Sequence, residues 1–212
     1  WQSSATDNKP VLVAKVPLRI TGSDYVVIKN DDSVKLITDD LKKYFDSAEQ
    51  RRKEIAGTIK TETPDPFISP LGGVLSTAAD AIWEDSWLHG AIGWRMPLNG
   101  WRAAYTGDVL GWHQRSRKHF DSYAASQITQ RIPDIPHPTQ DTTLNLARAE
   151  KKWGTQMYSN GYICRNPNDT TKMHHYDMNL CYIDELLNHF NWTGDLEYAQ
   201  EMWPVLENHL AW

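Results

Sequence analysis

The sequence predicts a mainly α-helical fold behind a short β-rich N-terminal segment. Three observations lead there. Apolar residues recur at helical spacing from about residue 38 to the end of the 212-residue chain. Residues 11–30 instead alternate and are β-branched, "VLVAKVPLRI", "TGSD", "YVVIKN". From Val74 onward, long irregular stretches alternate with shorter links between the helical runs, a rhythm that suits stacked helical hairpins.

Taken in order, the first element is a pair of strands joined by a turn at Thr21–Asp24, with Pro17 marking an edge or a bulge. A lone hairpin is marginal in water, so these strands need a partner sheet or a helical surface. Next comes a helix from about Thr38 to Gly57. Thr38 is its N-cap, Asp39 and Asp40 sit at the positive end of its dipole, and Leu41, Tyr44, Phe45, Ala48 and Ile55 form its stripe. "TETPDPFISPLGG", with three prolines and two glycines, reads as a linker. These signals divide the chain into a β segment 1–37, a linker helix and linker 38–73, and a helical part 74–212.

Within the helical part, a helix over about 74–83 leads into an irregular loop, 84–106. A second helix is expected from Asp108, as cap, to about Ile128, followed by the proline-rich connector "TQRIPDIPHPTQD". A third covers about 142–157, with Leu144, Ala147 and Trp153, and a second long loop spans about 158–175. The fourth, about 177–190, carries Leu180, Ile183, Leu187 and Phe190 in register. "NWTGD" is a turn, Asp195 caps a fifth helix over about 196–210, Trp203 falls in its core, and Pro204 is expected to kink or divide it.

Charge and composition narrow the function. The net charge is −5, and no basic stripe favours a nucleic-acid partner. No apolar run approaches the roughly 20 residues of a membrane helix, so no membrane insertion is expected. Cys164 and Cys181 lack metal spacing and read as unpaired core thiols. The unusual feature is ten tryptophans, of which Trp83, Trp87, Trp94, Trp101 and Trp112 lie within thirty residues.

Four stretches carry candidate chemistry. In "GWRMPLNGWRAAYTGDVLGWHQR", indole faces suit the C–H faces of sugars, and arginines offer forked donors to hydroxyl or carboxylate oxygens. Trp94, Arg95, Trp101, Arg102, Trp112 and Arg115 are therefore candidate substrate-binding residues; the alternative is a structural loop locked by Trp–Arg stacking. On a continuous helix Asp108, Trp112 and Arg115 would share one face, with His113 and Gln114 turned elsewhere. "AIWED" places Glu84 at the entrance to the aromatic loop, either as an acid–base carboxylate or as part of a solvated helix end. "MHHYDMN" crowds His174, His175, Tyr176 and Asp177 where a loop meets a helix, as a hydrogen-bonding ring or, for Asp177, as a cap. No strong metal-ligand spacing is present, and neither metal nor cofactor is expected.

With these residues placed, the chain resembles bacterial six-hairpin glycosidases, which join a β-sandwich to an (α/α)6 toroid through a linker helix. The likeness is carried by "PDPFISPLGGVLSTAADAIWED", the aromatic stretch above, "SNGYI" and "HHYDMNLCYIDELLNHFNWTGDLEYAQEMWPVLENHLAW". It is closest to large polysaccharide-degrading enzymes near glycoside hydrolase family 142, which includes β-L-arabinofuranosidases. The resemblance implies part of an (α/α)6 toroid preceded by the last strands of a sandwich. It implies a carbohydrate substrate, a pair of acid–base carboxylates drawn from Glu84, Asp108 and Asp177, and a periplasmic or secreted location. A toroid needs twelve helices and the pattern supplies five from Val74 onward, so the expectation is a fragment of a longer chain that lacks its C-terminal part. Two other activities fit the same residues: a polysaccharide lyase using Tyr176, His175 and Arg102 on a uronate-containing polymer, and a non-catalytic carbohydrate-binding module.

Overall fold

A computed structural model describes residues 15, 17, 21–25, 40–90, 95–100, 102–129, 160–172 and 177–211. The chain divides into two compact units, Trp1–Arg51 and Arg52–Trp212. The expected strands, the Thr38 cap and the helix over 142–157 lie outside the described residues.

In the first unit the turn is present, with Gly22 at φ 98°, a conformation that suits glycine. Helix α1 runs Leu41–Ala56 across the boundary between the units. It buries none of its residues; Tyr44 and Phe45 of its apolar stripe are about half exposed, and Phe45 lies beside Tyr25 with ring centroids 5.7 Å apart.

The second unit is mainly helical. Helix α2 (Leu71–Ala81) starts earlier than its sequence suggests, because Gly72 and Gly73 are helical rather than linker. Close packing explains both. A Cβ on Gly72 would fall 2.4 Å from Thr61 Oγ1 and 2.6 Å from the Ile59 carbonyl, and one on Gly73 would fall 3.1 Å from the Ala56 carbonyl. Beyond α2 the described residues of the aromatic loop include an antiparallel pair, β1 (Leu88–His89) and β2 (Met96–Pro97).

The expected helix from Asp108 to Ile128 is in fact two. Helix α3 (Tyr105–Val109) and helix α4 (His113–Ala124) are separated by Gly111 at φ 72°. Asp108 is thus inside α3 and buried, not a cap. Helix α5 spans Met178–Thr193 and ends on Gly194 in the left-handed conformation. Asp195 caps α6 (Leu196–Ala211) as expected, accepting the Tyr198 N–H at 2.9 Å. Pro204 does not divide this helix, and Trp203 is half exposed rather than core.

Helix α5 is the spine. It packs against α3, α4 and α6. Its buried residues are Met178, Asn179, Tyr182, Glu185, Leu186 and His189. That is a helical stripe, but not the expected one: Leu180 is 68% and Leu187 45% exposed. The inward face carries three polar side chains in place of the most apolar ones, and each faces a defined neighbourhood described below. Tyr182 donates from its hydroxyl to the Phe120 carbonyl (2.8 Å), which joins α5 to α4. Among the described residues no helix is long and apolar enough to cross a membrane.

Candidate functional site

The aromatic loop begins with a tight reversal. Trp83 and Trp87 form an antiparallel bridge, the Glu84 N–H donates to the Ser86 carbonyl (3.0 Å), and Asp85 takes φ 58° at the tip. This geometry turns Glu84 outward. Its side chain is 69% exposed and pairs with Arg95 at 3.3 Å, a rim ion pair of small energetic weight. Asp85 is likewise exposed and pairs with Lys118 at 2.5 Å.

Trp87 is fully buried and stacks on Trp112 with centroids 6.2 Å apart and planes 10° from parallel. The Arg115 guanidinium lies 4.3 Å over Trp112 and 5.6 Å over Trp83, and pairs with Asp80 at 2.7 Å. Trp112 and Arg115 do share a face, but it packs the loop onto α2 and α4. Trp94, Trp101, His174, His175 and Tyr176 lie outside the described residues. A groove of about 500 Å³ lined by Leu75, Ala79, Ile82, Tyr105, Val109 and others is apolar and includes none of the sequence-predicted site residues.

Asp108 sits at the first of two buried polar clusters. Its Oδ1 accepts from His113 Nδ1 (2.9 Å) and His189 Nδ1 (2.8 Å), and its Oδ2 is buried without a partner. The expectation that His113 points away from Asp108 is therefore wrong. The left-handed Gly111 reverses the chain, so the first residue of α4 folds back onto α3. Burial pushes the Asp108 carboxyl up, but the hydrogen bonds from His189 and His113, with their charge, outweigh it and hold the pKa below the ordinary value. Asp108 is an ionised carboxylate. Asp108, His113 and His189 are also close enough to one another to hold a metal ion. The two N–O separations are those of hydrogen bonds, and that is how we read them.

One turn back along α5 lies the second cluster, around Glu185. This carboxyl is 2% exposed, and neither oxygen has a hydrogen-bond partner. Burial raises its pKa from 4.5 to about 8; the Arg102 and Ala104 backbone N–H groups pull the other way without reaching hydrogen-bond geometry. Glu185 is thus a neutral carboxylic acid at pH 7. The Tyr123 hydroxyl is also buried without a partner, and burial raises its pKa. Arg102 holds its backbone at φ 65°, a left-handed conformation that costs a non-glycine residue about 1–2 kcal/mol.

The described parts of the two long loops meet beside the start of α5. Asn99 Nδ2 donates to the Ile163 carbonyl (2.7 Å), Arg165 reaches Met96 Sδ (3.1 Å), and Asn179 Oδ1 accepts the Ile163 N–H (2.6 Å). Gly100 makes the approach to α5 close, since a Cβ there would fall 2.4 Å from the Tyr182 nitrogen. Asp177 stands exposed just before α5, with helical backbone and no side-chain capping bond.

Of the sequence-predicted residues, the structure brings Asp108 to the inward face of α5, turns only the backbone N–H of the exposed Arg102 towards Glu185, and leaves Glu84, Arg95 and Asp177 at the surface. Sequence reasoning missed Glu185, His189, Tyr123 and Arg165. The signal for the first two was present: Asn179, Glu185 and His189 share one helical face with Tyr182 and Leu186. No protein-family model matches this chain, and no curated protein or solved structure matches it.

Proposed function

We propose that the chain is part of a glycoside hydrolase acting on plant-type polysaccharide or oligosaccharide side chains. In this reading the helices belong to an (α/α)6 toroid that follows the end of a β-sandwich. The observation that carries it is two buried carboxyls shifted in opposite directions, Glu185 on α5 and Asp108 on the adjoining α3. Glu185 is held neutral, and Asp108, on α3, is held ionised by His189, which lies one turn after Glu185 on α5. Environments that push two carboxyls in opposite directions distinguish an acid from a base.

Glu185 then protonates the glycosidic oxygen as the C–O bond breaks. Asp108 supplies the second carboxylate, facing the positive charge that develops at the anomeric carbon or activating the water that adds there. The residues that the lyase alternative would use as base, Tyr176 and His175, lie outside the described residues.

The test is a comparison of two leaving groups. Glu185→Gln should lower kcat about 10²- to 10⁴-fold on a natural glycoside. It should leave hydrolysis of the matching 2,4-dinitrophenyl glycoside, which needs no protonation, nearly unchanged. Equal losses on both substrates, undiminished turnover, or a product with the ultraviolet absorbance of an unsaturated uronate would each reject the assignment.

A further inference from the structure

The hydrogen-bonded cluster at Asp108 has a second use. Asp108 lies in α3, His113 opens α4 and His189 lies in α5, so three packed helices contribute one group each. The left-handed Gly111 folds His113 back onto Asp108, and the packing of α5 brings in His189 from 81 positions along the chain.

The geometry is close to that of metal ligands. Asp108 Oδ1 is 2.9 Å from His113 Nδ1 and 2.8 Å from His189 Nδ1, and one ligand atom from each of the three side chains lies within 4.8 Å of the others. Around a tetrahedral zinc ion with bonds of about 2.0–2.1 Å, neighbouring ligand atoms stand about 3.3 Å apart. Each imidazole therefore has to withdraw from Oδ1 by only about half an ångström.

Three features of the surroundings favour a cation there. Asp108 is buried, its Oδ2 has no partner, and among the described residues no Lys or Arg pairs with it. A buried carboxylate with an unsatisfied oxygen is costly, and a dication offsets that cost. His189 is braced by the rings of Phe120, Phe190 and Tyr198, an apolar shell that holds a ligating imidazole in place. His113, by contrast, is half-exposed, which gives an ion a way in and leaves room for water in the fourth position.

We propose that Asp108, His113 and His189 bind a divalent transition-metal ion of the Zn²⁺ type, with water completing the coordination. Two imidazoles disfavour Mg²⁺ and Ca²⁺, hard ions that take oxygen ligands. In the hydrogen-bonded arrangement each Nδ1 carries the proton it donates. On binding, each imidazole keeps one proton, now on Nε2, and gives its Nδ1 lone pair to the metal, while Asp108 stays a carboxylate. The site does not depend on the hydrolase reading. The two meet at one point: an ion held here withdraws Asp108 from the role given to it above, so saturating Zn²⁺ should stop hydrolysis.

The test is calorimetric titration of the whole chain with zinc chloride and with magnesium chloride, with the histidine rings followed by heteronuclear NMR. A single Zn²⁺ should bind per chain, Mg²⁺ should not bind at millimolar concentration, and His113 and His189 should carry their ring protons on Nε2 once zinc is added. Loss of a supporting group around a metal site costs about 10- to 100-fold in affinity, so loss of a ligand, in His113→Ala or Asp108→Asn, should cost about 100-fold or more. His113→Ala removes a half-exposed side chain, so it guards against an Asp108→Asn variant that does not fold, as judged by circular dichroism. Absence of Zn²⁺ binding, an affinity that survives in the folded variants, or binding that leaves both rings unchanged because zinc sits elsewhere overturns the proposal. The two readings fail separately. Zinc bound by these rings without loss of hydrolysis defeats only the role of Asp108 in hydrolysis, and hydrolysis by a chain that binds no zinc defeats only this inference.

Discussion

A carboxylic acid kept neutral inside a protein opposes folding above its ordinary pKa, and for Glu185 this can be measured. Between pH 4.5 and about 8 the unfolded chain ionises Glu185 while the folded chain keeps it protonated. The folded state then binds more protons, so this residue's contribution to stability falls as pH rises across that window and levels off above it. From 4.5 to about 8, at about 1.4 kcal/mol per pH unit, the full effect is roughly 5 kcal/mol. Water entry and relaxation around the charged form reduce it, and we expect about half, roughly 2–3 kcal/mol. Glutamine has nearly the same shape and never ionises, so Glu185→Gln removes this pH dependence and leaves the other groups in place. Urea unfolding of both proteins at pH 5, 6, 7 and 8 should give similar stabilities at pH 5 and a variant increasingly more stable towards pH 8. A difference that is flat with pH, or a variant less stable at pH 8, would refute a neutral Glu185. A protein that gains stability when its proposed acid is removed also fits the trade-off between function and stability at active sites.

Two further outcomes follow from single residues. His119 accepts the Trp87 N–H through Nδ1 (3.0 Å), and burial depresses its pKa to about 3; its stabilising effect is complete above the ordinary 6.5 and is lost as pH falls towards 3. Heteronuclear NMR should show a neutral His119 with its proton on Nε2 throughout pH 5–8, and titration within that range would contradict its burial. Gly107 and Gly111 should differ on mutation to alanine. At Gly107 the new Cβ would fall 2.2 Å from Ser116 Oγ and 2.8 Å from Trp87 Cζ2, an overpacking that costs about 1–3 kcal/mol or more. At Gly111 it meets nothing within 4 Å, and the φ of 72° alone costs about 1 kcal/mol. Equal losses in urea unfolding would contradict this ordering.

Local chemistry made much of the fold legible. Asp195 was readable as a cap because an aspartate before an apolar run has one inexpensive role. Helices α2, α5 and α6 were readable from period alone, although the start of α2 was not. Gly72 and Gly73 look like linker until Thr61, Ile59 and Ala56 are seen to crowd them. The inward face of α5 was misjudged for a related reason. Ranking residues by hydropathy turns Leu180 and Leu187 inside, whereas the structure spends that face on Asn179, Glu185 and His189. Such an inversion depends on distant partners, Ile163 for Asn179 and Asp108 for His189, that no local window contains. Asp108 was singled out for attention, but its neighbourhood was not foreseen, because one left-handed glycine undoes the helical spacing used to place His113.

That glycine sets up an asymmetry that tests the Asp108 cluster. Both histidines donate to the same oxygen at nearly the same distance, yet His113 is 42% and His189 only 3% exposed. Removing His113 leaves Asp108 a route to water, so His113→Ala should cost about 1 kcal/mol. Removing His189 strands a buried carboxylate and empties a site packed by Phe120, Phe190 and Tyr198, so His189→Ala should cost about 3–5 kcal/mol. The His189→Ala loss should also depend on pH. Asp108 is held below its ordinary 3.8 in the fold, so the stability it contributes is present above that pH and lost as pH falls through the depressed value. The penalty should therefore be largest near neutrality and shrink as pH falls, because without His189 burial pushes the carboxyl up and it takes up a proton more readily. In Asp108→Asn, which keeps an acceptor without the charge, His189→Ala should cost markedly less at neutral pH. If the penalty is the same in both backgrounds, the cluster is held by packing alone and Asp108 loses its claim to be the ionised member of the pair.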